Sequence, residues 1–128
     1  MRRRGKSQLV AGAPGAAILP ELHKRDRHVE IRKTRFSAFF RTSLDDVLGG
    51  LGVDHVVVVG VNTMSCVRTT AVDAYMRDLA VTLVVDGVAA YDDEQHRDSM
   101  RYMAYSCAQV LTVCETVALL GRSGRCAG

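Results

Sequence analysis

Two side chains of this sequence could together do nucleophilic chemistry, Cys66 and Lys33. Cys66 follows the β-branched run at 55–60, which is typical of a buried parallel strand, and precedes apolar residues at helical spacing. A thiol at a helix N-terminus lies near the positive end of the helix dipole, which favours the thiolate, and a nearby lysine cation would favour it further. A small packing residue and a solvent-exposed lysine would fit the same pattern, so the spacing alone leaves both interpretations open.

Alternating strands and helices would position these two side chains. This order of elements implies crossover connections and a mostly parallel sheet. In such sheets the functional side chains lie where strands end and helices begin. The predicted fold class is therefore α/β, a three-layer sandwich with a mostly parallel sheet and helices on both faces. Strands are predicted at 28–32, 55–60, 80–85 and 108–111, and helices near 43–51, 66–79, 92–107 and 112–120.

Length and charge limit what the chain can be. With 128 residues, of which 48% are hydrophobic, it can bury the core of one small domain. We expect an irregular basic arm and loop at 1–27, the folded domain at 28–121 and a tail at 122–128. No apolar run approaches the ~20 residues that span a bilayer, and basic residues are not interleaved with aromatic ones. The sequence therefore predicts neither a membrane nor a nucleic-acid partner.

The four cysteines and four histidines are dispersed. They show no CxxC pair and no spacing typical of zinc sites, so neither a metal nor a cofactor is predicted. Cysteines scattered through apolar patterns, in a chain without an export signal, suggest reduced thiols and a cytoplasmic location. The histidines stand beside charged residues and are predicted to lie on the surface.

Three motifs resemble those of the isochorismatase-like cysteine hydrolase superfamily, which includes nicotinamidases, carbamoyl-amide hydrolases and isochorismatases. They are K-x-R-F-S-A-F-F at 33–40, G-V-x-T-x-x-C-V-R-x-T-A-x-D-A at 60–74 and V-x-D-x-V-A at 84–89. The upstream stretch GAPGAAILPEL at 12–22 is similar to a segment that precedes the lysine motif in many relatives. The resemblance extends over residues 10 to 120.

This resemblance implies a role for each matching residue. Cys66 would be the nucleophile that attacks an amide carbonyl and forms a thioester, and Lys33 would be the lysine of an Asp-Lys-Cys triad. The backbone amides of Asn62 and Cys66 would form the oxyanion hole, with a cis peptide bond before Asn62. Phe36 and Phe40 could wall a pocket for a planar small-molecule substrate.

The chain also departs from the family pattern. Nothing in residues 1–27 matches the central strand that carries the triad aspartate, and Asp26 lies among charged residues beside a different strand. The chain therefore resembles the C-terminal two thirds of such an enzyme, with the N-terminal central strands missing. We expect a truncated form, a strand supplied by another chain, or a relative without catalysis. An apolar strand edge at 55–60 would favour a homo-oligomer.

The function that the resemblance implies is hydrolysis of a C–N bond in a small amide or carbamoyl compound. Cys66 favours this reaction because the isochorismatases that cleave a vinyl ether generally have glycine at the nucleophile position. The segments at 69–78 and 92–104 nevertheless resemble isochorismatase helices, so a vinyl-ether hydrolase is the first alternative. A catalytically inactive fragment or interaction module is the second.

Overall fold

The computed structural model describes residues 10–121, and the chain divides between Glu30 and Ile31 into two units. In the first unit, two 3₁₀ turns, Pro14–Ala16 and Pro20–Leu22, each begin with a proline, whose fixed φ suits the first helical position. The rest of residues 10–30 is irregular. The predicted domain boundaries stay a prediction, and residues 1–9 and 122–128 lie outside the described residues.

The second unit carries the regular elements. Residues 28–32 were expected to form a strand, and this prediction is wrong. An alternating pattern becomes a strand only where a neighbouring strand satisfies its backbone, and none of the described strands pairs with this segment. The elements are α1 (Leu44–Leu51), β1 (His55–Val61), α2 (Arg68–Tyr75), β2 (Ala80–Ala89), α3 (Asp93–Ser106), β3 (Gln109–Leu111) and α4 (Val113–Leu119), with a π-helical turn (Thr63–Val67) between β1 and α2.

Side-chain caps explain where the last two helices begin. The Asp92 carboxylate accepts a hydrogen bond of 2.8 Å from the backbone N–H of Gln95 and so caps α3. Thr112 and Glu115 form a reciprocal capping box at α4. Both the backbone N–H and the hydroxyl of Thr112 donate to the Glu115 carboxylate, and these two bonds lower the pKa of Glu115 below its ordinary value.

The three strands found in residues 10–121 form one parallel sheet in the order β1-β2-β3. Because partners in a parallel ladder face the same side, Val58, Leu83 and Val110 share one face. Side chains from α1, α2 and α3 pack there in a core that contains the fully buried Leu83 and Met103. On the opposite face α4 packs against β2 and β3. The predicted α/β architecture, a parallel sheet between helices, is confirmed.

A register shift between β1 and β2 bends the sheet near its carboxyl end. Val58 pairs with Leu83, whereas Gly60 pairs with Val88, so β2 takes up extra residues between these pairs. Gly87 lies inside this bulge, and a Cβ placed there would be 3.0 Å from the Val59 side chain. Glycine therefore lets β2 approach β1 just before the turn that carries Cys66.

The edge of the sheet at β1 exposes alternate valines. Val57, Val59 and Val61 are 38%, 59% and 65% exposed, and no strand of residues 10–121 pairs with the outer side of β1. Beside this edge lies a groove of about 260 Å³, lined by apolar residues that include Leu44 and Leu48 of α1. The strand thus presents unpaired backbone groups and apolar side chains together.

Two predictions about cysteine and histidine need correction. Cys66 and Cys107 have free thiols, but Cys114 is disulfide-bonded, so the expectation of reduced thiols is wrong at that residue. His55 and His96 are half-buried rather than on the surface, because each ring forms a hydrogen bond with a buried threonine. Polar neighbours in sequence therefore did not indicate the environment of these two rings.

Candidate functional site

The structure brings Lys33 and Cys66 together, although 33 positions separate them in sequence. Lys33 Nζ is 3.3 Å from Cys66 Sγ, within hydrogen-bonding range for sulfur, and 2.8 Å from the carbonyl oxygen of Arg35. The ammonium group donates to both atoms, and the Arg35 carbonyl helps to orient it toward the sulfur. A fixed cation beside a half-buried thiol is the arrangement that stabilises a thiolate.

Cys66 lies in the π-helical turn between β1 and α2. The Val61–Asn62 peptide bond that leads into this turn is cis, as the resemblance implies. The carbonyl of Asn62 then accepts hydrogen bonds of 3.1 Å from the backbone N–H groups of Ser65 and Val67. Single π turns are rare and frequently occur at functional sites. This turn holds Cys66 at the carboxyl end of β1, the edge at which ligands bind in parallel sheets.

A second hydrogen bond fixes the same turn from α3. The Thr63 side chain is completely buried, and its hydroxyl lies 2.9 Å from His96 Nδ1. A buried hydroxyl without a partner would cost free energy, so His96 satisfies a group that the turn would otherwise leave unpaired. A helix was predicted to begin near residue 92, but no sequence signal indicated this contact.

The segment that carries Lys33 lies between Ile31 and Ser43 and is called the lysine segment below. It is irregular and is held by side chains of α2. Ser37 Oγ donates to Asp73 Oδ2, and the backbone N–H of Ala38 donates to Thr70 Oγ1 at 3.0 Å. Phe39, only 5% exposed, packs into the core, and the Arg77 guanidinium lies 4.2 Å from its ring centroid. Sequence analysis missed these anchoring residues, because each contact joins distant parts of the chain.

The predicted pocket residues Phe36 and Phe40 are 61% and 44% exposed. Arg41 lies 5.3 Å from the centroid of the Phe40 ring. Both aromatic rings belong to the lysine segment and are accessible to a ligand. Their role as pocket walls stays a prediction. The oxyanion hole at Asn62 and Cys66 also stays a prediction.

The triad carboxylate that the family resemblance implies is not found beside Lys33 in residues 10–121. No carboxylate of this part of the chain forms an ion pair with Lys33, and no cluster of three or more metal-ligating side chains occurs there. Within the same residues, none of the helices has the length and apolar character needed to cross a bilayer.

Comparison with known proteins identifies the family. The family model described as "Isochorismatase domain" matches residues 1–115. The chain is 38% identical over 87 residues to the phenazine biosynthesis protein PhzD of Pseudomonas fluorescens, a match over 68% of this chain and 42% of that protein. It is 39% identical over 90 residues to an Arabidopsis thaliana protein named "Probable inactive nicotinamidase", over 69% of this chain and 46% of the relative. An isochorismatase of Bacillus subtilis is 33% identical over 100 residues, covering 78% of this chain and 32% of that protein.

Solved structures agree with this assignment. An isochorismatase-like hydrolase from Alkaliphilus metalliredigens superposes with a TM-score of 0.83 at 33% identity, covering 87% of this chain and 60% of that one. N-carbamoylsarcosine amidase from Thermoplasma acidophilum superposes with a TM-score of 0.71 at 32% identity, covering 79% of this chain and 57% of that one. The fold is the α/β fold of the isochorismatase-like class. The chain belongs to the isochorismatase family, and it spans less than half the length of these three curated relatives.

Proposed function

We propose that this chain belongs to a cysteine hydrolase that cleaves a C–N bond of a small amide or carbamoyl compound. The observation that supports the proposal is the 3.3 Å contact between Lys33 Nζ and Cys66 Sγ at the carboxyl end of β1. The similarity to N-carbamoylsarcosine amidase gives independent support for a carbamoyl or amide substrate.

In the proposed reaction the Cys66 thiolate attacks the carbonyl carbon, and a C–S bond forms while the carbonyl oxygen becomes an oxyanion. The backbone N–H groups of Asn62 and Cys66 would donate to that oxyanion, and the Lys33 ammonium would offset the negative charge. The C–N bond then breaks, and the nitrogen leaves with the proton that the thiol lost. Water hydrolyses the thioester, which releases the acid and restores the thiol.

The proton of the thiol needs an acceptor between these two steps. Lys33 is a donor when charged, so it stabilises the thiolate but cannot also receive its proton. Within residues 10–121 no carboxylate contacts Lys33 or Cys66. Because residues 1–9 and 122–128 contain no aspartate or glutamate, we propose that the carboxylate base comes from outside these 128 residues, and that full turnover depends on it.

A panel of small amides and carbamoyl compounds, with isochorismate included, tests the reaction class on a form of the protein that includes the carboxylate base. We expect ammonia from at least one amide, and we expect Cys66→Ala to abolish it. Cys107→Ala is the matched control, because Cys107 is also a free, half-buried thiol but has no contact with Lys33. Ammonia release that survives Cys66→Ala, or no product from any compound in the panel when the carboxylate base is present, would reject the proposal.

Vinyl-ether hydrolysis is the second candidate, favoured by the similarity to the Bacillus subtilis isochorismatase. This reaction would release pyruvate from isochorismate without a thioester. Pyruvate formation that persists in Cys66→Ala would establish this candidate, and pyruvate formation that requires Cys66 would exclude the thiol-independent route.

The exposed edge of β1 favours self-association as a further property of the chain. We propose a homo-oligomer in which the valines of this edge are covered. Sedimentation velocity should show a species larger than the monomer, and Val59→Lys should dissociate it, because a charge at the edge opposes pairing. A wild-type chain that sediments as a monomer at every concentration would contradict this proposal.

A further inference from the structure

Lys33 lies in a segment without regular secondary structure, yet its ammonium group is placed within 3.3 Å of a thiol. Between Ile31 and Ser43 no helix or strand fixes the backbone, so the segment needs other contacts to keep one conformation. An irregular segment held only by Lys33 itself would lose that contact readily, because a single exposed polar pair contributes little.

Two polar groups of α2 hold this segment. Asp73 accepts a hydrogen bond from the Ser37 hydroxyl, and the same hydroxyl accepts one of 3.1 Å from the Phe39 backbone N–H. One turn earlier, Thr70 Oγ1 accepts a hydrogen bond of 3.0 Å from the Ala38 backbone N–H. Ser37 is 5% exposed, so its hydrogen bonds are made largely away from water, where they are strong and costly to lose.

The two anchoring residues and the nucleophile belong to consecutive helical turns. Cys66 lies in the π turn that continues directly into α2, and Thr70 and Asp73 follow on α2 itself. A helix is stiff over this short length, so a segment bound to α2 is held at a defined distance from the thiol. The Arg77 guanidinium adds a second support, since it donates to the Asp73 carbonyl at 2.9 Å and stacks on Phe39.

We propose that Ser37, Thr70 and Asp73 are positioning residues for the Lys33–Cys66 pair. Their hydrogen bonds hold the lysine segment against α2 and thereby keep the ammonium group beside the sulfur. This inference rests on the proposed function, in which the lysine cation activates the thiol. None of the three residues touches the reacting atoms, so their effect must pass through Lys33.

The rate of Cys66 alkylation by iodoacetamide at pH 7, measured by peptide mass spectrometry, tests the inference on the 128-residue chain. Cys107 in the same sample is the internal control for folding, because it is a free thiol that does not contact Lys33. Lys33→Ala is expected to slow Cys66 alkylation by up to about fivefold, the upper end of what an exposed charge contact contributes. Thr70→Val and Asp73→Ala should each slow it about twofold to threefold, because they loosen the lysine without removing it.

Three comparisons distinguish positioning from a merely structural role. Asp73→Asn should restore the rate, because its amide oxygen can still accept from Ser37. Thr69→Val, a matched change on the same helix at a side chain without a hydrogen bond in residues 10–121, should leave the rate unchanged. In a Lys33→Ala background, Asp73→Ala should cause no further slowing.

Each outcome bears on one of the two proposals. If Asp73→Ala and Thr70→Val leave Cys66 alkylation unchanged while Lys33→Ala slows it, the positioning role is wrong and the lysine role stands. The positioning role is also wrong if Asp73→Ala slows alkylation equally with and without Lys33, or if Cys107 alkylation changes in parallel. If Lys33→Ala itself has no effect, the activation of the thiol in the proposed function is wrong.

Discussion

Gly87 allows β2 to pack against β1, and replacing it with alanine should destabilise the fold measurably. The added Cβ would lie 3.0 Å from Val59 Cγ1 and 3.2 Å from both Cβ and Cγ1 of Val84. Carbon atoms in good contact are about 3.5–4.0 Å apart, so all three distances are too short by about 0.3 Å or more. The backbone of Gly87 has no positive φ, and the predicted effect is therefore purely steric.

The two neighbours differ in how far they can yield. Val59 is 59% exposed and can turn its methyl group toward solvent, but Val84 is 2% exposed and its Cβ is fixed to the strand. The clash with Val84 must then be relieved by a backbone shift in the bulge. Overpacking of this kind costs about 1–3 kcal/mol, and we expect Gly87→Ala to lower the free energy of unfolding by about 2 kcal/mol.

Urea denaturation followed by circular dichroism measures this change. With a denaturant dependence of about 2 kcal/mol per molar urea, the midpoint should fall by about 1 M. Gly50→Ala is the matched control, since nothing lies within 4 Å of its added Cβ and the residue is inside α1. There the same substitution should raise stability by up to about 1 kcal/mol, because alanine favours helix. A Gly87→Ala chain as stable as the wild type would refute the steric argument.

Further predictions concern the core, the π turn and the last helix. Leu83→Ala should lower the free energy of unfolding by about 3 kcal/mol, because the side chain is fully buried, whereas Leu119→Ala, at a half-exposed position, should change it by less than about 1 kcal/mol in the same urea titration. His96→Ala should cost about 1–3 kcal/mol by leaving the buried Thr63 hydroxyl unpaired, and an unchanged urea midpoint would contradict the role given to that bond. Because the pKa of Glu115 is lowered in the folded chain, its contribution to stability is present above its ordinary value of 4.5 and is lost as the pH falls below it. Glu115→Gln should therefore flatten the acid limb of a plot of melting temperature against pH, and an unaltered limb would show that ionisation of the Glu115 carboxyl group contributes nothing to stability.

The strands of the second half were predictable because their residues leave few alternatives. Runs of β-branched residues at 55–60 and 80–85 favour strands that are covered on both faces, and the spacing between them requires crossovers. The end of β2 was misplaced, because Asp86 and Gly87 are typical of a turn. In the structure Asp86 instead accepts a 2.8 Å hydrogen bond from the backbone N–H of Val113, and the strand continues to Ala89.

The candidate site was predictable only in part. The predicted position of Cys66 at a helix N-terminus, together with the family motifs, indicated Cys66 and Lys33. The structure places these two side chains in contact. The Ser37–Asp73 contact could not be read from the sequence, because it joins residues 36 positions apart and depends on how an irregular segment folds onto a helix. Local patterns indicate which residues could react, whereas non-local packing determines what holds them.

The contacts between the lysine segment and the region of α2 all close chain loops of nearly the same length. The sequence separations are 33 for Lys33–Cys66, 36 for Ser37–Asp73 and 32 for Ala38–Thr70. The entropy of closing a loop depends on its length, and once one of these contacts has formed, the others close almost no additional chain. The candidate site should therefore assemble and come apart as a unit, with the entropic cost of one loop closure shared among several hydrogen bonds.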